Sequence, residues 1–154
     1  MTRNANITLP LTSDERTALR RQKVRIRALA EHSVSQLSDI LSVSPERARY
    51  LRALAEFQQI PSIGIRFAED LIFLGYYSLA ELQDKDGAHL VEEFERRKGF
   101  WIDSCVEDQF RLAVHFAHHQ DMSKQWWDFT AERKAYRAEF GYPADRPLLA
   151  WHEG

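Results

Sequence analysis

The chain has 154 residues, of which 44% are hydrophobic and 29% are charged, and its formal net charge is −2. This composition fits a soluble globular protein of one or two small domains and argues against wholesale disorder. No apolar run approaches the roughly 18 residues of a membrane helix, and the single cysteine excludes an intramolecular disulfide. Residues 1–10 also lack the pattern of a secretory signal, so we expect a cytoplasmic protein.

The charges are unevenly distributed along the chain. Residues 1–57 contain ten Lys/Arg and six Asp/Glu, which gives +4, whereas residues 78–108 contain four and nine, which gives −5. The first third could therefore face a polyanion, and the middle would repel one.

The N-terminal third predicts a flexible arm over residues 1–11 and a basic helical segment over 12–57. Thr12 and Glu15 have the spacing of a capping box, and apolar periodicity predicts a helix over about 13–31. Four cations fall within about 60° of each other beside its apolar stripe. These candidate phosphate contacts are Arg16, Arg20, Lys23 and Arg27. The alternatives are a solvated face, a face paired with the acidic residues 92–95, or a surface for a partner protein.

Two further helices are predicted over 34–41 and 45–57. Ser44 is a good N-cap, and Pro45 stands at the favoured first helical position. Arg47 points outward and is another candidate nucleic-acid contact. An alternative interpretation takes residues 37–54 as a helix-turn-helix, which would require sequence preference and a dimer.

Residues 60–71 are the most informative stretch of the chain. Pro61 cannot continue a helix, Gly64 allows the chain to reverse, and a new helix begins near Ile65. The turn directs the N–H groups of Gly64, Ile65 and Arg66 outward, where the helix dipole favours a phosphate. With Ser62, these are the candidate nucleic-acid-binding residues of the turn. The alternative is a packing element that binds nothing.

This stretch matches the preceding one at an offset of twenty residues, which suggests a degenerate second hairpin within 12–57. Six positions in twelve agree in character. The matched pairs are Ile40 and Ile60, Ser42 and Ser62, Val43 and Ile63, Ser44 and Gly64, Ala48 and Ala68, and Leu51 and Leu71.

The rest of the chain is also predicted to be helical. An acidic helix spans about 87–97 and a long helix about 101–119. Seven aromatic residues between 126 and 151 predict that the segment 120–154 packs on a core formed by 58–119. Burial of Trp126 and Trp127 is preferred over their stacking on exposed bases. Because no period-2 pattern occurs, the fold class is all-α, with a compact domain built around helix-hairpin-helix units.

No metal site or catalytic pattern is predicted. Cys105 and His119 are about 21 Å apart along one helix and cannot share an ion. His115 and His119 form half a site, for which a third ligand such as Asp121 would be needed. No phosphate loop, nucleophile motif or small-molecule site stands out, so we expect a non-enzymatic protein without a cofactor.

The order of motifs resembles the bacterial pathogenicity-locus family of helix-hairpin-helix proteins, some of which are labelled mitomycin-resistance proteins. The resemblance covers residues 55–129. It rests on residues 60–64, 68–71, 74–76, 78–79, 103–106, 110–114 and 126–127, with Gly99 between them. The resemblance implies a nucleic-acid-binding scaffold with no assigned reaction.

Two residues depart from the family pattern, because Ser62 replaces the first glycine of the hairpin and Ile65 replaces a cation or proline. Related hairpins also hold a monovalent cation through backbone carbonyls, which here would come from Gln58, Ile60 and Ile63. The leading hypothesis is nucleic-acid binding without sequence specificity, with DNA expected. The alternative is a protein–protein interaction module or a subunit of a larger complex.

Overall fold

The fold is helical throughout the part of the chain that a computed structural model describes, residues 6–153. The α-helices are α1 (Ser13–Arg21), α2 (Val34–Leu41), α3 (Pro45–Phe57), α4 (Ile65–Phe73), α5 (Gly87–Lys98), α6 (Ser104–His119) and α7 (Thr130–Phe140). The 3-10 helices are Ile26–Glu31, Leu79–Leu82 and Trp126–Phe129. The all-α prediction is confirmed. Residues 1–5 of the predicted arm, and Gly154, lie outside the described residues.

The chain divides into two compact units, Met1–Leu79 and Ala80–Gly154. Residues 1–79 contain eleven Lys/Arg and eight Asp/Glu, a net charge of +3, and residues 80–154 contain ten and fifteen, a net charge of −5. In the first unit, α3 packs on α2, α4 and the 3-10 helix Ile26–Glu31. In the second unit, α6 packs on α5, α7 and the 3-10 helix Trp126–Phe129.

The described part of the predicted N-terminal arm lies against α3. The backbone N–H of Thr8 donates to Gln58 Oε1 at 2.9 Å, and Gln58 Nε2 donates to the Thr8 carbonyl at 2.7 Å. Leu9 is buried, and Arg47 donates to the Pro10 carbonyl. These contacts connect residues 8–10 to both ends of α3.

The first helix is shorter than its periodicity predicts. The capping box of Thr12 and Glu15 is confirmed, but α1 ends at Arg21 and the helix predicted over 13–31 is wrong beyond that point. Lys23 adopts a left-handed conformation, and the N–H of Val24 donates back to Leu19, which closes the helix end. A continuous helix would also have placed many like charges three or four residues apart, which is unfavourable.

The twenty-residue repeat is visible in the backbone. Ser42 and Ser62 both have positive φ, +55° and +62°, two residues before the N-cap of the next helix. Ser44 and Gly64 are those N-caps, both with extended backbone, so α3 and α4 each begin one residue later. The two helix starts are therefore similar in backbone geometry and differ in side-chain chemistry.

In the second unit, α5 approaches α6 closely at Gly87. A Cβ at this position would lie 2.8 Å from the Arg111 Cα, which leaves no room for a side chain. The C-terminal aromatics are less buried than predicted: Trp127 is 55% exposed, so the expected burial of both tryptophans is wrong for this residue. Phe129 is buried, and α7 contains no buried residue.

Replacement of Ser62 by glycine should stabilise the protein. A β-carbon at φ +62° is strained, and glycine adopts this conformation without that cost, so we expect Ser62→Gly to raise the free energy of unfolding by about 1 kcal/mol. Urea denaturation measures the change. Ser62→Ala keeps the β-carbon and is the control; an equal gain in Ser62→Ala would contradict relief of backbone strain.

Candidate nucleic-acid interface

The connection between α3 and α4 is anchored by apolar side chains. Ile60 and Ile63 are 1% and 7% exposed, and Pro61 between them is also buried. The N–H of Ile60 donates to the Phe57 carbonyl, and that of Ile63 donates to the Ile60 carbonyl. These contacts fix the backbone that leads into Gly64.

The N-terminus of α4 is open to solvent. Gly64, the N-cap residue, is exposed and extended and has no side chain with which to cap the helix. A Cβ built on Gly64 would meet nothing within 4 Å, so the space beside this residue is empty. The φ angle of Gly64 is −104°, a value that any residue can adopt, so backbone conformation is not the reason for a glycine here. The first-turn N–H groups therefore lie beside free space at the positive end of the helix dipole.

The equivalent N-terminus of α3 is closed by its own residues. Ser44 Oγ accepts a hydrogen bond from the Arg47 N–H at 3.2 Å. Pro45 has no N–H group to offer. Of the two matched helix starts, the one at Gly64 is the one that leaves room for an external acceptor.

Ile65 and Arg66 occupy the first two helical positions after Gly64. Ile65 is half-buried, whereas Arg66 is exposed. A guanidinium in the first helical turn is not favoured by the helix dipole, but it adds positive charge next to any anion that the N–H groups hold. Ser62, Gly64, Ile65 and Arg66 all lie in the connection to α4 and its first turn.

Arg47 lies elsewhere and is engaged within the protein. Its Nε and Nη2 donate to the carboxylate of Glu15 at 2.9 Å, and Nη2 also donates to the Pro10 carbonyl at 2.7 Å. Hydrogen bonding to Glu15 raises the pKa of Arg47 despite its partial burial. Arg47 stands in the first turn of α3, about 15 Å along the axis from its last residue, Phe57.

The other basic candidates are exposed but do not share one helical face. Arg16 and Arg20 lie on α1, Lys23 lies in the turn after it, and Arg27 lies in the 3-10 helix Ile26–Glu31. The predicted common stripe is therefore wrong, because it required a continuous helix. Five cations from Arg20 to Arg27 remain clustered along a short stretch of chain.

Two arginines of α3 have contacts that sequence spacing did not indicate. The guanidinium of Arg49 lies 3.7 Å from the centroid of the Tyr77 ring. Arg52 donates to the carbonyls of Ala30 and His32 at 3.0 and 2.8 Å. Arg52 is therefore a structural residue that ties the 3-10 helix to α3.

The acidic residues of α5 have basic partners within their own unit. Glu93 pairs with Arg96 and Arg97 on the same helix. Glu92 pairs with Arg137 at 2.8 Å, and Glu95 pairs with Arg146 at 2.9 Å.

The histidines of α6 contact each other and Asp121. His115 and His119 have ring centroids 4.6 Å apart, and His115 Nε2 lies 3.2 Å from Asp121 Oδ2.

Burial, together with Asp103, raises the pKa of the Cys105 thiol to about 11. Among residues 6–153, no group of three or more His, Cys, Asp or Glu side chains is placed to hold a metal ion.

Comparison with known proteins identifies one family. The model of a family described as Pathogenicity locus (Cdd1) matches residues 50–135, which is more than half of the chain. The match includes the α3–α4 connection and all of α5 and α6. Neither a curated protein nor a solved structure matches the chain. Within the described residues, no helix has the length and apolar character to cross a membrane.

The contact between Glu15 and Arg47 should make stability depend on pH. The Arg47 hydrogen bonds hold the pKa of Glu15 below its ordinary value of 4.5, helped by the Thr12 N–H and opposed by burial. The pKa of this carboxyl is lower in the folded protein than in the unfolded chain. Its ionised form therefore stabilises the folded protein fully above the unfolded pKa, and this stabilisation is lost as the pH falls through the folded pKa. At pH 7, we expect Glu15→Gln to lower the free energy of unfolding by about 2 kcal/mol.

Urea denaturation from pH 7 to pH 3 checks this expectation. The difference between Glu15→Gln and the unmodified protein should shrink as pH falls below 4.5. A difference that stays constant over this range would show that the charge of Glu15 is not responsible.

Proposed function

This chain belongs to the pathogenicity-locus family, and from that premise we propose that it binds nucleic acid, with DNA expected, without sequence specificity. In this proposal, α3, residues 58–64 and α4 form a helix-hairpin-helix unit. The unit holds a backbone phosphate with the N–H groups of Gly64, Ile65 and Arg66. The role is binding, with no reaction assigned to it.

The open N-terminus of α4 carries the proposal. Gly64 leaves empty space where a side chain would otherwise stand, and as the N-cap residue it has no side chain with which to cap the helix. A phosphate is a suitable occupant because it accepts several hydrogen bonds and is favoured by the helix dipole. The exposed guanidinium of Arg66 supplies an additional charge.

The matched helix start at Ser44 supports the same assignment by contrast. There the Ser44 hydroxyl takes the place of an external acceptor, and Pro45 removes one donor. The same backbone geometry is therefore used once as a capped structural turn and once as an uncapped turn. We assign phosphate binding to the uncapped turn alone.

Phosphate contacts at this turn would account for binding without sequence specificity. Backbone N–H groups that contact phosphate position a protein on nucleic acid but do not distinguish bases. The exposed cations from Arg16 to Arg27, in a unit with a net charge of +3, would extend the contact with the polyanion. Arg47 and Arg52 are left out of this footprint because they hold the fold together.

Gly64→Ser should close the turn and weaken binding. Serine at an N-cap accepts a hydrogen bond from the second or third helical residue, as Ser44 does, and would compete with a phosphate. We expect the folded protein to be as stable or slightly more stable, and its affinity for a labelled DNA duplex to fall about tenfold. Fluorescence anisotropy at low salt measures this affinity.

The reciprocal substitution provides a matched control. Ser44→Gly removes the cap from α3 and should lower stability by a few tenths of a kcal/mol without reducing DNA affinity. Equal affinities for Gly64→Ser and the unmodified protein would contradict phosphate binding at this turn.

Salt dependence should report the contribution of Arg66. Each phosphate contact on B-DNA contributes about −0.9 to the slope of log affinity against log salt concentration. We expect Arg66→Glu to weaken binding and to reduce the magnitude of this slope by about one. Arg96→Glu makes the same charge change at an exposed position of the acidic unit and is the control.

Binding can be measured on duplex and single-stranded DNA over a series of salt concentrations. If no DNA binds at low salt, or if Arg66→Glu and Arg96→Glu have the same effect, the proposal fails. The protein-interaction role would then be the remaining hypothesis, and a partner retained at high salt would support it.

A further inference from the structure

The end of α1 and the connection to the 3-10 helix Ile26–Glu31 carry a dense positive charge. Residues 16–30 contain six Lys/Arg and no Asp or Glu, a net charge of +6. Five of these cations lie within residues 20–27, which we call the cationic turn. All five are exposed: Arg20, Arg21, Lys23, Arg25 and Arg27.

Three cations of the turn are not neutralised by the protein. The side chains of Arg21, Lys23 and Arg25 form no hydrogen bond or ion pair with residues 6–153. In the same unit, by contrast, Arg47 pairs with Glu15. Because like charges that lie close together repel one another, an anionic ligand at the turn would relieve this repulsion.

The cationic turn is held in place at both ends. Leu19 before it and Leu29 after it are buried. Arg52 donates to the carbonyls of Ala30 and His32, which fixes the 3-10 helix on α3. The charged side chains therefore project from an anchored backbone, and less conformational entropy is lost when a ligand binds.

Lys23 stands at a position that favours glycine. The Lys23 N–H donates to the Arg20 carbonyl at 3.1 Å, and the Val24 N–H donates to the Leu19 carbonyl at 2.9 Å. These two bonds form a Schellman motif, in which the residue after the C-cap is left-handed and is most often glycine. Lys23 has φ +57°, which is strained for a residue with a β-carbon. An ammonium group therefore stands where glycine would be more stable.

A ligand with repeated phosphates matches the chemistry of the turn. Four of its five cations are arginines, whose planar guanidinium binds phosphate oxygens through two parallel hydrogen bonds. Val24 and Ile26 are half-buried between the exposed cations. Several separate cations along a short segment suit a polymer that carries one charge per nucleotide better than an isolated anion.

We propose that the cationic turn is a second nucleic-acid contact of the first unit, which binds phosphates through side-chain cations and supplies the larger part of the electrostatic affinity. This inference rests on the proposed function for the class of ligand, but it does not require the N–H groups at the start of α4. It assigns binding roles to Arg21, Lys23 and Arg25.

Removal of three charges from the turn tests the proposal in the full chain. We expect Arg21→Gln/Lys23→Gln/Arg25→Gln to lower the affinity for a labelled DNA duplex at least tenfold at low salt. The slope of log affinity against log salt concentration should also decrease in magnitude by about three, since each phosphate contact contributes about −0.9. A slope equal to that of the unmodified chain would overturn the proposal.

The second unit offers a matched control. Arg96→Gln/Arg97→Gln/Lys98→Gln removes two arginines and one lysine from exposed positions, and therefore makes the same change in net charge. Its salt slope should change by less than one. Equal effects of the two triple variants would overturn the proposal, because they would show dependence on net charge alone.

Lys23 provides a second test, in which stability and binding change in opposite directions. Lys23→Gly removes both the strain and the charge, so we expect the urea midpoint to rise by about 0.5 M and the salt slope to decrease by about one. Lys23→Gln keeps the β-carbon, so its slope should match and its midpoint should rise less. If Lys23→Gly binds DNA as the unmodified chain does, the proposal fails even where the triple variant is unfolded.

The cationic turn and the α4 turn can fail separately. If Gly64→Ser weakens binding and the triple variant of the cationic turn does not, the cationic turn is excluded and the proposed function stands. If only the triple variant weakens binding, the cationic turn is the contact and the α4 turn is excluded. Absence of DNA binding at low salt would overturn both. Displacement of the DNA by polyglutamate at an equal concentration of charge would also overturn the present proposal, because it would indicate an acidic protein as the partner.

Discussion

The burial of α3 is the constraint on which the first unit depends. Six of its thirteen residues are buried, and three of these are alanines, which let neighbouring elements approach closely. Polar side chains of α3 and of its C-cap residue also form hydrogen bonds to neighbouring segments. Glu56 accepts the N–H of Leu79, Gln58 holds Thr8, and Arg52 holds the 3-10 helix Ile26–Glu31. The buried face of this helix and several of its polar side chains therefore hold the first unit together.

These internal contacts determine which arginines of the first unit stay available to bind a ligand. An outward position on the helical wheel does not make a side chain available, because arginine is long enough to reach a carbonyl or carboxylate on a neighbouring element. Arg47 reaches Glu15 in this way. Arg66 follows the turn instead of preceding it, and it remains exposed beside the uncapped start of α4.

Local chemistry made much of the first unit predictable from sequence. Thr12 with Glu15, Ser44 with Pro45, and the turn ending at Gly64 each act over a few residues, and each lies where the pattern places it. The helix over 13–31 failed because apolar periodicity continued through a left-handed residue, Lys23, that periodicity does not detect.

The pairs that organise the second unit could not be inferred in the same way. The arginine–carboxylate partners are separated by 25, 30 and 51 residues, and no spacing rule connects such positions. Aromatic content suggested that the C-terminal segment packs through its rings, yet Trp127 and Phe140 lie largely in solvent. Composition indicated that this segment packs on the rest of the chain, and the structure adds arginine–carboxylate pairs and the backbone hydrogen bonds of Trp101 to the contacts that hold it.

The absence of a side-chain cap on α4 has a thermodynamic consequence. A serine at the N-cap stabilises a helix by about a few tenths of a kcal/mol relative to glycine, and α3 obtains this contribution internally through Ser44. The start of α4 lacks it, so an anion that binds there would supply the missing hydrogen bonds itself. By linkage, occupancy of the turn and folding of the first unit would then favour each other, and the unit would be most stable when its ligand is bound.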